Sequence, residues 1–150
     1  MTIRTLNGEA LTQLVLEVFR LNGELLGAGN RITGPFGLTS ARWQVLGAID
    51  EEGQPLTVSQ IARRMGLARQ GVQRIINDLL ERDLVSSFPN IDHKRAPLFD
   101  LSKEGEKVMA KINAAQAAWV NNLSEALSAK EVSRALKLLR TISERLENSN

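Results

Sequence analysis

Four polar side chains repeat along one side of a short helical pattern, and all four can hydrogen-bond to the edges of DNA bases. They are Arg69, Gln70, Gln73 and Arg74. Apolar residues of the same run fall at helical spacing and would face a core: Val72, Ile75, Ile76, Leu79 and Leu80. Arginine can donate two hydrogen bonds to guanine, and glutamine can pair with adenine in the same two-bonded way. The pattern therefore predicts a helix from about Ala68 to about Arg82 with one base-reading face.

A solvated helix face would carry the same residue types, since arginine and glutamine are good helix formers. Three features favour binding over plain solvation. No acid occurs from Ser59 to Asn77, and the acid-free stretch also contains Arg63 and Arg64. The spacing fits two helices joined by a tight turn, and a basic hairpin follows. The whole chain carries a net charge of only +2, so the positive charge is local.

The residues before this helix predict the partner helix of a helix-turn-helix. Thr57 begins "TVSQ", a capping box with Gln60 at the third helical position. Ala62 is small enough for a second helix to cross close to it. Gly66 can take the positive φ that the turn needs. We expect Arg63 and Arg64, on this supporting helix, to contact phosphate or to be simply solvated, and we place Ser59 with them.

A hairpin with a charged tip is predicted after the second helix. "LVSSF" and "LFDLS" have strand composition, and "PNIDHKRAP" between them is rich in turn formers. Lys94 and Arg95 at the tip could reach phosphates or the minor groove. An ordinary solvated turn is the alternative. His93 would contact phosphate or stabilise the turn, and Asp92 would orient Arg95 or cap the turn.

Further helices flank this central portion. Helical spacing predicts one over residues 9–26, a loop over residues 27–37, and a helix from Thr39 or Ser40 to Gly53. Ser102 and the box "SAKE" from Ser128 would open two more. The outer helices carry apolar side chains that the central portion does not need: Leu14, Val18, Leu136, Leu139 and Ile142.

Several classes of protein are not expected from the composition. The chain has no cysteine and a single histidine, so we expect no metal site and no disulfide. No nucleophile with a base, no paired acids and no phosphate loop mark an enzyme, and no cofactor is expected. No signal peptide and no membrane span are predicted, and a cytoplasmic location is expected.

Almost the whole chain resembles the MarR (multiple antibiotic resistance regulator) family of transcription factors. The resemblance lies in "LTSARWQVLGAI", "TVSQIARRMGLARQGVQRIINDLLERDLV" and "NIDHKRAPLFDLSKEG". His93 and Lys94 stand where the family often has Asp and Arg. Asp83 stands where glycine is common, and Asp tolerates left-handed backbone geometry.

The resemblance implies a mainly α fold with a small β-hairpin. A winged helix-turn-helix lobe would span about residues 38–102, and helices in about residues 8–30 and 103–147 would form a homodimer. It further implies a repressor on palindromic double-stranded DNA with half-sites ~10 bp apart. The implied DNA contacts are Ser59, Arg63, Arg64, Arg69, Gln70, Gln73, Arg74, His93, Lys94 and Arg95.

The same resemblance implies a small aromatic or lipophilic effector that would release the DNA. Phe19, Phe36, Arg42 and Trp43 could lie near its pocket. The alternative is that Trp43 belongs to the core and that Arg42 is a surface charge or bonds within the chain. A winged-helix module that binds protein instead of DNA is the alternative function, and it would need exposed apolar residues on the recognition face.

Overall fold

The computed structural model describes residues 1–149, and they form a mainly helical fold with one two-stranded antiparallel hairpin, as predicted. The elements are α1 (Leu6–Thr33), a 3-10 turn (Gly34–Phe36), α2 (Ser40–Glu52), α3 (Val58–Met65), α4 (Arg69–Glu81), β1 (Val85–Phe88), β2 (Leu98–Leu101), α5 (Lys103–Leu123) and α6 (Ala129–Glu147). The backbone forms two compact units, Met1–Asn113 and a second that begins at Ala114.

One hydrophobic core joins α2, α3, α4, the hairpin and the first half of α5. Its fully buried members include Val45, Leu46, Ile49, Ile61, Val72, Ile76, Leu79 and Ile112. Leu80, predicted to face this core, is 37% exposed instead. It lies about 80° around the helix from Val72, at the edge of the buried stripe.

The predicted turn between α3 and α4 is confirmed in its local details. Thr57 and Gln60 form the reciprocal capping box at the start of α3. Gly66 ends that helix with φ +64°, in the left-handed region where glycine is unstrained. Ala62 is buried, and its carbonyl accepts a hydrogen bond from Leu67 N–H at 2.9 Å. The short turn therefore follows from residues that lie within it.

The loop predicted over residues 27–37 was wrong for residues 27–33, because α1 continues to Thr33. The glycine at position 29 serves a helix crossing: a Cβ there would lie 2.4 Å from Ser40 Oγ. Asn30 Oδ1 accepts from Ser40 N–H at 2.8 Å. The hydroxyl of buried Thr33 lies 2.8 Å from the Gly29 carbonyl. These turn-forming residues are thus used to hold α1 against the start of α2.

The hairpin is held on both sides of its base. Leu56, in the predicted linker, exchanges backbone hydrogen bonds with Phe99 of β2 at 2.8 and 2.9 Å, which attaches the hairpin beside the start of α3. Asp83 turns the chain into β1 with φ +57°, as its tolerance of left-handed geometry predicted. On the other side of the base, Gly105 of α5 lies very close to Leu84, which precedes β1. A Cβ on Gly105 would lie 2.0 Å from the carbonyl oxygen of Leu84.

Helices α1 and α6 leave most of their surface uncovered. Within α1 only Ala28, Gly29 and Thr33 are buried, and α6 has no buried residue among those the structure describes. Serine caps open the last two helices: Ser102 Oγ accepts from Gly105 N–H, and Ser128 Oγ accepts from Glu131 N–H. None of the described helices is both long enough and apolar enough to cross a membrane.

Candidate nucleic-acid interface

A groove of about 440 Å³ opens between the start of α3, the start of α4 and the hairpin. Its walls are Thr57, Val58, Ser59, Arg69, Gln70, Gln73, Arg95, Ala96 and Pro97. The structure thereby brings together five residues that the sequence predicted as DNA contacts and that come from three separate segments of the chain. The bridge between Leu56 and Phe99 is the reason, since it holds the hairpin beside α3.

The groove is electrostatically suited to an anion. Ser59 lies in the first turn of α3, and Arg69 and Gln70 lie in the first turn of α4. The N–H groups of a first helical turn have no partner within the helix, and the helix dipole places partial positive charge there. Two helix starts and the side chains of Arg69 and Arg95 therefore line one opening, and phosphate binds readily at such positions.

The basic residues of this region differ in whether they are already paired. Arg63, Arg69, Arg74, Lys94 and Arg95 form no ion pair with any residue of the described part of the chain, and all five are exposed. In contrast, the guanidinium of Arg64 lies 2.5 Å from Glu52 Oε2. Arg64 is thus tied to the end of α2, whereas the other five present unpaired charge.

Gln73 is oriented by its neighbour one turn along α4. Its Nε2 donates to Asn77 Oδ1 at 3.0 Å. The second amide hydrogen and the carbonyl oxygen of Gln73 remain available, which is the pair of groups that a two-bonded contact with adenine uses. Asn77 therefore supports one of the predicted base readers.

The first acid on α4, Asp78, is held by two arginines, and neither pair was predicted from the sequence. Arg42 Nε donates to Asp78 Oδ2 at 2.5 Å, and Arg82 Nε lies 3.0 Å from the same oxygen. The hydrogen bond from Arg42, with the charges of both arginines, holds the pKa of the Asp78 carboxyl below its usual range. Arg82 also donates to the Gly37 carbonyl at 2.8 Å.

The spacing of Asp78 and Arg82, four residues apart on one helix, could have shown the second of these pairs. Arg42 lies 36 residues away from Asp78 in the sequence, so no local pattern could show the first. The structure nevertheless confirms the expectation that Arg42 hydrogen-bonds within the chain.

The hairpin tip separates two groups of predicted contacts. A second cavity, of about 600 Å³, is lined by Glu52, Arg64, Asp92 and His93 among others. Ser59 and Ala96 border both cavities. His93 and Arg64 therefore line a different opening from the one that Arg69, Gln70, Gln73 and Arg95 line.

Asn90 organises the tip turn in place of Asp92. Its Nδ2 donates to the Ala96 carbonyl at 2.9 Å, and its Oδ1 accepts from the backbone N–H of Asp92 at 3.1 Å. An Asx contact of this kind stabilises turns. Asp92 forms no ion pair with Arg95 or with any other residue of the described region.

Phe19 lies apart from the other three residues predicted to contact an effector. Phe36 and Trp43 are half-buried and pack against the core, as the alternative for Trp43 expected. Trp43 also lies beside Gly29 of α1. Phe19 is 71% exposed and precedes Gly29 by ten residues, which is about 15 Å along the helix.

Two short helices at a tight turn, followed by a hairpin whose tip shares a groove with the second helix, define a winged helix-turn-helix protein. A sequence model of the MarR family matches residues 36–96, the part that carries this groove. An uncharacterized protein of Mycobacterium tuberculosis is 38% identical over 119 residues, which cover 79% of this chain and 82% of the relative. The chain belongs to the MarR family, whose members are transcription regulators.

Solved structures share the fold over nearly the full chain. A mutant MarR of Escherichia coli complexed with operator DNA has a TM-score of 0.76 at 21% identity, covering 93% of this chain and 99% of that one. CouR of Rhodococcus jostii bound to p-coumaroyl-CoA has a TM-score of 0.77 at 24% identity, covering 86% and 90%.

Proposed function

We propose that this transcription regulator binds specific DNA sequences by placing the start of α4 in the major groove. The observation that carries the proposal is the groove that gathers Ser59, Arg69, Gln70, Gln73 and Arg95 around two helix starts. Polar groups able to read bases and unpaired cations able to bind phosphate lie within one opening. A module that binds an apolar protein surface would not need this combination of polar groups and unpaired cations.

The roles of the side chains follow from their places. Arg69, Gln70, Gln73 and Arg74 occupy the exposed face of α4 and would read or position the bases. Lys94 and Arg95 on the hairpin would contact the neighbouring minor groove or backbone. Phosphate contacts fit Ser59, Arg63, Arg64 and His93 on the flanks. Arg64 would contribute least, because it must leave Glu52 first.

We further propose a homodimer through α1, α5 and α6. In α6, Val132, Leu136, Leu139 and Leu146 are all exposed although they recur at helical spacing. In α1, Leu11, Val15 and Val18 are exposed in the same way. Uncovered apolar surface of this extent marks an interaction site. The lobe of about residues 38–102 would then bind DNA, and helices in about residues 8–30 and 103–147 would join two copies.

Two copies related by a twofold axis would bind a palindrome with half-sites ~10 bp apart. Such binding at a promoter would repress transcription in the cytoplasm. The ligand in CouR supports a small aromatic or lipophilic effector here, and Phe19, Phe36, Arg42 and Trp43 remain its proposed contacts. The ligand would act by binding more tightly to the arrangement of the two lobes that does not fit the operator.

Selection from a random duplex pool, followed by footprinting, tests the proposal. The wild-type protein should enrich a palindrome, and Arg69→Ala, Arg74→Ala and Arg95→Ala should each weaken binding to it. Arg20→Ala is the matched control, because Arg20 lies on α1 and pairs with Glu17. Failure to enrich any sequence, or affinity equal to that of the wild type in all three variants, would contradict DNA binding and favour a protein partner.

A further inference from the structure

On the recognition face of α4, Arg74 and Asp78 are spaced so that they could form an ion pair. The structure does not contain this pair. The two residues are four apart on one helix, so their side chains leave the same side. Both line a small cavity of about 260 Å³ together with Arg42 and Ile75. Arg74 nevertheless has no carboxylate partner among residues 1–149.

Asp78 already has two other arginine partners. Arg42 Nε and Arg82 Nε both approach its Oδ2, at 2.5 and 3.0 Å. Arg42 comes from α2 and is only 27% exposed at its side chain, and its guanidinium also lies 3.4 Å from Thr39 Oγ1. Arg82 is more exposed, at 41%, and it divides its hydrogen bonds between Asp78 and the Gly37 carbonyl. Arg42 is therefore the better-anchored of the two partners.

We propose that Arg42 sets the affinity for DNA without touching DNA, by occupying Asp78 and so leaving the guanidinium of Arg74 available. The inference rests on the proposed function, since it concerns the same recognition helix. Without Arg42, the carboxylate of Asp78 would attract Arg74 from one turn away. It would also carry less compensated negative charge on the DNA-binding helix, because Arg82 alone would remain paired with it.

Three variants separate this mechanism from a change in overall charge. Arg42→Gln removes one of the two partners of Asp78 and keeps part of the side-chain stem. Adding Asp78→Asn removes the freed carboxylate. Adding Glu81→Gln instead restores the same net charge but leaves Asp78 in place. Glu81 is a suitable control because it is exposed, lies on the same helix and forms no ion pair within residues 1–149.

The measurement is fluorescence anisotropy with the duplex that the wild-type protein enriches. We expect Arg42→Gln to weaken binding about tenfold, the loss of roughly one arginine contact. Arg42→Gln with Asp78→Asn should return to within about twofold of the wild type, while Arg42→Gln with Glu81→Gln should stay weak. Asp78→Asn alone should bind at least as tightly as the wild type. Circular dichroism melting confirms that each variant is folded.

Three results would overturn the inference. Unchanged binding by Arg42→Gln would show that Asp78 does not need Arg42. Equal rescue by Glu81→Gln would reduce the effect to net charge. A loss in Asp78→Asn as large as that in Arg42→Gln would show that the pair positions α4 and does not mask a charge.

A measurement on the free protein separates this inference from DNA binding itself. In ¹H–¹⁵N spectra, the Nε–Hε signal of Arg74 should shift and exchange more slowly with water in Arg42→Gln, and Asp78→Asn should reverse both changes. An unchanged Arg74 signal would contradict the capture of Arg74, whether or not the protein binds DNA. A wild type that enriches no duplex would instead remove the proposed function, and this inference with it.

Discussion

The α3–α4–hairpin lobe and helix α6 use their apolar residues in opposite ways. In the lobe, Ile61, Val72 and Ile76 are fully buried, and the groove at the start of α4 is lined mainly by polar and basic side chains. In α6, Leu136 and Leu139 are exposed by 46% and 41%. A region whose apolar residues are satisfied within the chain can offer polar groups to a ligand. A region whose apolar residues are not satisfied needs another surface to cover them.

Breaking the proposed dimer should have the largest effect on DNA binding. Leu139→Glu places a charge in the apolar stripe of α6 and should yield monomers in light scattering. In a monomer, no second copy is tethered near the second half-site. Affinity for a palindrome should therefore fall about 100-fold. Lys137→Glu is the control, because Lys137 is also exposed on α6 but polar. A monomeric variant that keeps full affinity would contradict binding as a dimer.

Changes inside the lobe should act on folding instead. Gly105→Ala would bring a Cβ to 2.0 Å from the Leu84 carbonyl oxygen, so the backbone at the hairpin base must move. We expect a loss of about 2–3 kcal/mol in the free energy of unfolding, measured by urea denaturation.

Gly71→Ala is the control for this change. No atom beyond its chain neighbours and the backbone of its own helix lies within 4 Å of the added Cβ, and Gly71 is inside α4. It should stabilise the protein by up to about 1 kcal/mol, since alanine favours the helix more than glycine does. If both variants change the free energy of unfolding in the same direction, the close approach of Gly105 to Leu84 does not determine the effect of Gly105→Ala.

The hairpin tip should contribute a smaller and salt-dependent part of the affinity. Arg95→Ala should weaken binding about tenfold and reduce the salt slope by about one, provided that Arg95 neutralises one phosphate. Anisotropy titrations across a range of salt concentrations measure both quantities. Arg20→Ala should change neither, and a salt slope that Arg95→Ala leaves intact would show that Arg95 does not neutralise a phosphate.

The smallest effect concerns pH and stability. The folded-state pKa of Asp78 is lowered, mainly by the hydrogen bond from Arg42, so the charged form contributes stability above the unfolded value of about 3.9. This contribution is lost as pH falls through the lower folded pKa. Because the side chain is 29% exposed, we expect Asp78→Asn to cost only about 0.5–1 kcal/mol near neutral pH.

Urea denaturation of the wild type and of Asp78→Asn over a pH series measures this contribution. The difference between the two proteins should shrink as the solution is acidified below the unfolded pKa. A difference that stays constant across that range would show that the carboxylate charge of Asp78 does not stabilise the fold.

Elements whose causes lie within a few residues were predictable from the sequence. The capping box at Thr57, the left-handed turns at Gly66 and Asp83, and the apolar stripe of α4 are local, because caps and turns depend on neighbouring side chains. Five of the residues that line the groove were also predicted as DNA contacts, since an exposed polar helix face and a basic hairpin tip are visible as patterns. That they line one opening depends on the bridge between Leu56 and Phe99, which no pattern indicated.

What the sequence determined by itself, then, is the helix-turn-helix, the hairpin and the polar face of α4. Tertiary structure decided that residues 27–33 continue α1, because Gly29 allows a close approach to Ser40 at the start of α2 and Asn30 accepts a hydrogen bond from the backbone of Ser40. It also decided that Arg42 holds Asp78 across 36 residues. Both depend on side chains brought together only by packing, and a helix crossing or a distant ion pair leaves no periodic signal in the chain.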